Sequence, residues 1–123
     1  MSEVGRSFEL RAPADPGLGV TVRVFVTESA RRLGLGDADI EDLRLAATEL
    51  LANAVETAQP SIELILRVDA GRWVLRANGA GGLDRGSDGL IDRADLLDGL
   101  ADVRVDDGII ELSSDVTAPE NPD

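Results

Sequence analysis

The run IELILRVDAGRWVLRA, Ile62 to Ala77, constrains the fold more than any other stretch of the chain. Ile62, Leu64, Leu66 and Val68 recur every second residue, the period of a strand with one buried face. Asp69-Ala70-Gly71 then turns the chain, and Trp73, Leu75 and Ala77 resume the alternation. The reading is a hairpin with one apolar side. A hairpin alone is marginal in water, so this face requires a cover of helices or further strands.

The sequence supplies both. SFELRA, Ser7 to Ala12, alternates as a short strand with Phe8 and Leu10 on one side. Asp15-Pro16 reads as a helix start, a capping carboxylate followed by proline at the first helical position. Leu18, Val22, Phe25, Val26 and Leu33 then follow helical spacing, and Gly34 and Gly36 end that helix. Asp37 is expected to cap a second helix reaching about Gln59-Pro60, with Ile40, Leu43, Ala47, Leu50, Leu51, Ala54 and Ala58 as its buried stripe. After the hairpin comes a glycine-rich loop, then a short helix over about Ile91 to Ala101 with Leu96, Leu97 and Leu100 inward. VRVDDGIIEL reads as a second hairpin turning at Asp107-Gly108.

Helices interrupting mostly hairpin-linked strands predict an α+β fold. It is a two-layer α/β sandwich, a mixed and mostly antiparallel sheet with about three helices on one face. A chain of 123 residues suits one domain. Residues 1–114 are read as that domain and 115–123 as a disordered acidic tail.

Composition excludes whole classes of chemistry. There is no cysteine and no histidine, which removes thiolate nucleophiles, imidazole ligands and Ser-His-Asp catalysis. Any acid–base work falls to carboxylates. The 24 acidic and 12 basic residues give a net charge of −12, and every basic residue is arginine. Such a chain repels nucleic-acid phosphates and favours a partner with a basic surface. No apolar run approaches 18 residues and no leader precedes the first strand, so a soluble, cytoplasmic chain without a membrane role is expected. Asp92, Asp95, Asp98 and Asp102 recur along one side of the expected third helix, as a docking face for a basic partner or simply a solvated face.

The chemical question sits in TELLANAVETA, Thr48 to Ala58. Glu49 and Asn53 lie four residues apart, hence on one helix face. Asparagine lowers helix propensity, and burying it without partners costs more. One reading is solvent exposure. The other is a magnesium–phosphate site in which the amide oxygen of Asn53 holds the cation and Glu49 takes a proton from a nucleophile.

Glu49-x-x-x-Asn53-Ala54 on the second helix, then a strand pair, then RANGAGG (Arg76 to Gly82) resembles the GHKL, or Bergerat-fold, ATPases. The likeness is to the small anti-sigma-factor serine kinases of the RsbW/SpoIIAB type. FELRAPADPGLGVTVRVFV and LRLAATELLANAVETA agree with it, and the resemblance spans about Phe8 to Leu112. It implies ATP and magnesium as cofactors, with Asn53 holding the metal and Glu49 as general base toward a serine of an antagonist protein. It implies a sigma factor, a STAS-domain anti-sigma-factor antagonist, or both as partners, homodimerisation, and a role in bacterial transcription regulation.

The family's D-x-G-x-G turn falls on Ala77-Asn78-Gly79-Ala80-Gly81. Gly79 and Gly81 are kept, alanine replaces the adenine-reading aspartate, and Asn78 is the nearest polar substitute. A strand's alternation turns Asn78 to the opposite side. A charge-assisted hydrogen bond is worth about 1.5–3 kcal/mol, so its loss weakens ATP binding or removes it. The expected function is therefore an anti-sigma-factor-like regulator acting by protein–protein binding, with an active ATP-dependent serine kinase as the alternative.

Overall fold

The computed structural model describes residues 6–79, 97 and 99–117. Five strands form one sheet: β1 (Ser7–Pro13), β2 (Ser61–Asp69), β3 (Arg72–Asn78), β4 (Asp102–Asp106) and β5 (Ile109–Asp115). Two helices, α1 (Gly19–Arg32) and α2 (Asp37–Glu56), run consecutively between β1 and β2. Strand order is β1-β2-β3-β5-β4, and every pairing among the described strands is antiparallel. β4, the next strand in sequence after β3, therefore lies at the edge beyond β5, and the last hairpin turns back to fill the gap.

Register converts the sequence alternation into a continuous apolar face. Phe8, Leu66, Leu75, Leu112 and Val103 lie in one row across all five strands. Leu10, Leu64, Ala77, Ile110 and Val105 form the next. Val22, Val26 and Ala30 of α1 and Leu43, Ala47, Leu50 and Ala54 of α2 complete the core over this face. A one-residue slip of β2 would turn Ile62, Leu64 and Leu66 out to solvent, so their burial pins the register. Trp73 is fully buried at the end of the inner face. Across the far end of the sheet, Arg72 donates to Asp115 at 2.8 Å, to Asp102 at 2.6 Å and to Ser113 at 3.0 Å, tying edge strand β4 to β5 and β3.

Turn chemistry explains the boundaries. Asp15 accepts from the Gly17 N–H at 2.8 Å, as its capping role predicts, but it caps a short 3-10 turn, Pro16–Leu18, from which α1 continues. Gly34 (φ +85°) closes α1, with the Leu35 N–H reaching the Ala30 carbonyl at 2.9 Å. Two expectations for α2 are corrected. Gly36 occupies the N-cap and Asp37 lies in the first turn, because the chain is still extended at Gly36 (ψ 177°). The helix also ends at Glu56, not near Gln59. Ala58 adopts φ +58° and Gln59 N–H bonds back to the Ala54 carbonyl at 2.9 Å, so Ala58 is exposed outside the helix rather than part of its stripe. Both hairpins turn on two residues of positive φ, Ala70-Gly71 and Asp107-Gly108, matching the right-handed twist of their strands.

Of the expected third helix, Leu97, Gly99, Leu100 and Ala101 are described, and Ala101 already lies in a bend outside the helix. The first three are helical, and Leu97 is fully buried in the core. Leu96, Asp92, Asp95 and Asp98 lie outside the described residues. Asp102 begins β4 and pairs with Arg72, so it is not part of a helical acidic face. Residues 115–117, read as part of the tail, are held against the domain. Asp115 closes β5, the Val116 N–H bonds to the Gly71 carbonyl at 2.9 Å, and Thr117 is held by α2.

Candidate functional site

Helix α2 brings its last two turns against the end of β3. Asn53 is fully buried there, and its Nδ2 donates to the Gly79 carbonyl at 2.9 Å. Its Oδ1 is buried with no hydrogen-bond partner among the described residues. An unpaired buried amide oxygen costs about 1–3 kcal/mol, and so it marks a place where a ligand would repay the cost. Thr57 supports the arrangement by donating from Oγ1 to the Asn53 carbonyl at 2.9 Å.

Gly79 is shaped for this contact. Its φ of +89° lies where side chains are strained, and a Cβ added to it would stand 3.1 Å from Asn53 Nδ2 and 3.6 Å from Thr57 Oγ1 and Gln59 Cγ. Glycine therefore lets the backbone after β3 lie directly on α2. Glu49 is half-buried one turn before Asn53, on the same stripe of the helix. Asn53 thus lies at the helix–sheet junction with Glu49 one turn away on the same helix, and the solvated reading of Asn53 is excluded by its burial.

Ala77 and Asn78 sit on opposite faces. Ala77 points into the core, buried beside Leu64 and Ile110. Asn78 faces outward, and both ends of its amide are spent on β2. Its Oδ1 accepts from the Glu63 N–H at 3.0 Å, and its Nδ2 donates to the Ser61 carbonyl at 2.8 Å. These two bonds continue the β2–β3 ladder after backbone pairing stops. Gly81 lies outside the described residues.

The family model of the histidine kinase-like ATPase domain matches residues 12–89, most of the chain and all of this site. The chain belongs to that family. The fold of this histidine kinase-like ATPase domain is also found in a crystal structure of the RsbU and RsbW domains of Rv1364c from Mycobacterium tuberculosis, with TM-score 0.68 and 23% identity. That match covers 93% of this chain and 33% of the other, so the domain spans about a third of the solved chain. The RsbW-like GHKL architecture expected from the sequence is therefore observed. No curated protein matches the sequence.

The fit of the family's ligand divides in two. Asn53 Oδ1 suits a hard cation whose charge is balanced by phosphates. Among the described residues no group of three carboxylates could hold a metal without such help. The groups expected to read a base do not suit it, since Ala77 has no polar atom and the amide of Asn78 is occupied on the other face.

Sequence reasoning missed one feature. Asp39, 2% exposed in the first turn of α2, accepts from the Thr117 N–H at 2.9 Å and from its hydroxyl at 2.8 Å, fastening the exit of β5 across 78 residues. Its only local signal was an acidic residue in a helical first turn, which is ordinarily exposed. Among the described residues no helix is long and apolar enough to cross a membrane.

Proposed function

We propose that this histidine kinase-like ATPase domain is an anti-sigma-factor-like regulator that acts by protein–protein binding, with its affinity for ATP weak or lost. The observation that carries the reading is the pairing of Ala77 and Asn78. The position implied for adenine recognition holds a methyl group in the core, and the nearest amide is consumed by β2. The partners follow from the family, a sigma factor or a STAS-domain anti-sigma-factor antagonist, and the acidic surface suits a basic one. Homodimerisation is part of the same proposal, as is a cytoplasmic setting.

One observation favours the second reading, an ATP-dependent serine kinase. Asn53 Oδ1 remains an unpaired buried acceptor, and Glu49 stands one turn away. In that reading Asn53 would hold the magnesium of ATP, Gly79 and Gly81 would let the base approach, and Glu49 would accept the proton of an incoming serine hydroxyl. Magnesium would supply charge neutralisation at the phosphates.

Calorimetric titration with magnesium and ATP separates the two. Binding weaker than about 1 mM, near −4 kcal/mol, supports the regulator without nucleotide. Binding tighter than about 100 µM, near −5.5 kcal/mol, together with its loss in Asn53→Ala and serine phosphorylation of a STAS-domain antagonist that disappears in Glu49→Gln, establishes the kinase. Failure to bind any sigma factor or antagonist refutes both.

A further inference from the structure

The sheet's outer face, turned away from α1 and α2, dips near the β4–β5 turn into a hollow of about 390 Å³. Arg76, Glu111 and Arg104 cross it in one row of β3, β5 and β4, and Ile109 and Asp106 stand side by side in the next. Asp107, fixed at φ +55° in the turn, completes the lining. A smaller hollow of about 110 Å³ continues past Ile109 and Arg76 to Ile65, where Glu63 is already held by Arg11 at 3.6 Å. The volume suits a small molecule, and strands and a tight turn hold the walls before anything binds.

The charges of the larger hollow do not satisfy one another. Glu111 lies 3.7 Å from Arg76 and 3.9 Å from Arg104, so one carboxylate serves two guanidiniums at distances too long for hydrogen bonds. Arg76 Nε is buried without a hydrogen-bond partner, and neither arginine makes a side-chain hydrogen bond among the described residues. Asp106 and Asp107 have no ion pair there either, although Arg104 stands two residues from Asp106 on the same face of β4. Unmatched charges occur elsewhere on this face, Glu9 and Arg67 among them. The hollow differs in holding unsatisfied groups of both signs in one cavity, with Ile109 as its apolar wall. Among the described residues no group of three carboxylates is placed to hold a metal, so a cation alone is not the occupant.

We infer that this hollow binds a small cationic amino acid of the lysine or ornithine class, its carboxylate on Arg76 and Arg104 and its side-chain ammonium on Asp106 and Asp107. Guanidiniums with spare N–H groups take a carboxylate through paired, charge-assisted bonds. Two residues along a strand span about 7 Å, so the cationic and anionic ends are separated by about the reach of a lysine side chain, whose methylenes would lie against Ile109. Two arginines and three carboxylates line the hollow, so a ligand with one net positive charge neutralises it. The net charge of −12 on the whole chain draws the same sign. The inference goes beyond the regulator proposed above, adding a small-molecule site on the face of the sheet away from Asn53.

The test titrates the full chain at neutral pH, by calorimetry and by NMR amide shifts, with three probes. They are L-lysine, norleucine, which lacks the second amine, and cadaverine, which lacks the carboxylate. Lysine is expected to bind with a Kd below about 1 mM, and the other two roughly tenfold more weakly or worse, the loss of one charge-assisted pair. Shifts should centre on Arg104, Asp106 and Ile109. Arg76→Gln should bring lysine down to the level of cadaverine and leave cadaverine unchanged. Asp106→Asn, at the exposed sheet edge, should weaken lysine several-fold without changing norleucine binding or the melting temperature. Absence of lysine binding at about 20 mM, well above that Kd, overturns the inference. Cadaverine equal to lysine, shifts confined to the helical side, or lysine binding unchanged in Asp106→Asn overturns it too. So does sedimentation of a dimer that Arg76→Gln dissociates, because a second copy then covers the face. Neither nucleotide nor a protein partner enters the assay, so its failure leaves the proposed regulator standing.

Discussion

Gly79→Ala tests the geometry on which the candidate site depends. The backbone term comes first: holding a non-glycine residue at positive φ costs about 1–2 kcal/mol, and Gly79 stands at +89°. The second term is contact. The new methyl lies 3.1 Å from Nδ2 of a fully buried asparagine, which must give by a few tenths of an ångström and strain its 2.9 Å bond to the Gly79 carbonyl. Losing a buried bond costs about 1–3 kcal/mol, and weakening this one costs about 1–2 kcal/mol. Alanine restricts the unfolded chain and returns about 0.4–1 kcal/mol. The net loss is about 2–3 kcal/mol, and at about 4 °C per kcal/mol for a domain of this size the melting temperature falls by about 8–12 °C. The sole tryptophan, fully buried Trp73, reports unfolding by fluorescence. The decisive measurement is a double-mutant cycle. With Asn53→Ala already present, Gly79→Ala should cost only the backbone term, leaving a coupling of about 1–2 kcal/mol between the two sites. Additive costs, or a single-site loss below about 0.5 kcal/mol, would refute the close packing of α2 on the turn after β3.

Three further outcomes are expected. Thr117→Val removes the 2.8 Å hydroxyl bond to buried Asp39 and should destabilise by about 1.5–3 kcal/mol in thermal unfolding, while Thr117→Ser stays near wild type. Ala58→Gly should stabilise by about 0.5–1 kcal/mol, because Ala58 is exposed at φ +58° in the C-terminal turn of α2, where glycine is unstrained. Asp42 is held above its ordinary value of 3.8, first by burial and then by the charges of Asp39 and Glu41. A raised carboxyl binds its proton more tightly folded than unfolded, so its ionised form opposes folding and stability falls as pH rises through the raised value. Asp42→Asn should therefore raise the melting temperature at pH 7, lose that advantage below pH 3.8, and gain less in high salt because the side chain is only half-buried.

The site was legible where a local pattern carried it and hidden where contact across the chain decided it. The four-residue spacing of Glu49 and Asn53 put them on one stripe, and helix geometry alone guarantees that. Nothing local said that Asn53 would reach the Gly79 carbonyl, because the two are 26 residues apart and meet only when β3 packs on α2. Strand alternation correctly set Asn78 against Ala77. The use Asn78 finds, bridging Ser61 and Glu63, depends on the register of β2. The boundary errors in α2 have a related cause. Asp37 and Ala58 are both compatible with a helix, and the N-cap at Gly36 and the left-handed Ala58 were decided by the directions in which the chain enters and leaves.

What this sequence determined by itself is the period of each segment, two for the strands and 3.6 for the helices, and with it the one-sided sheet, its helical cover and the chemistry excluded by missing cysteine and histidine. Those properties follow from side chains a few residues apart, whose relative directions the backbone fixes. The tertiary structure decided strand order and the burial of Asn53 and Asp39. Each of these rests on partners present or absent far along the chain, and the free energy of a buried polar group depends on those partners rather than on its neighbours in sequence.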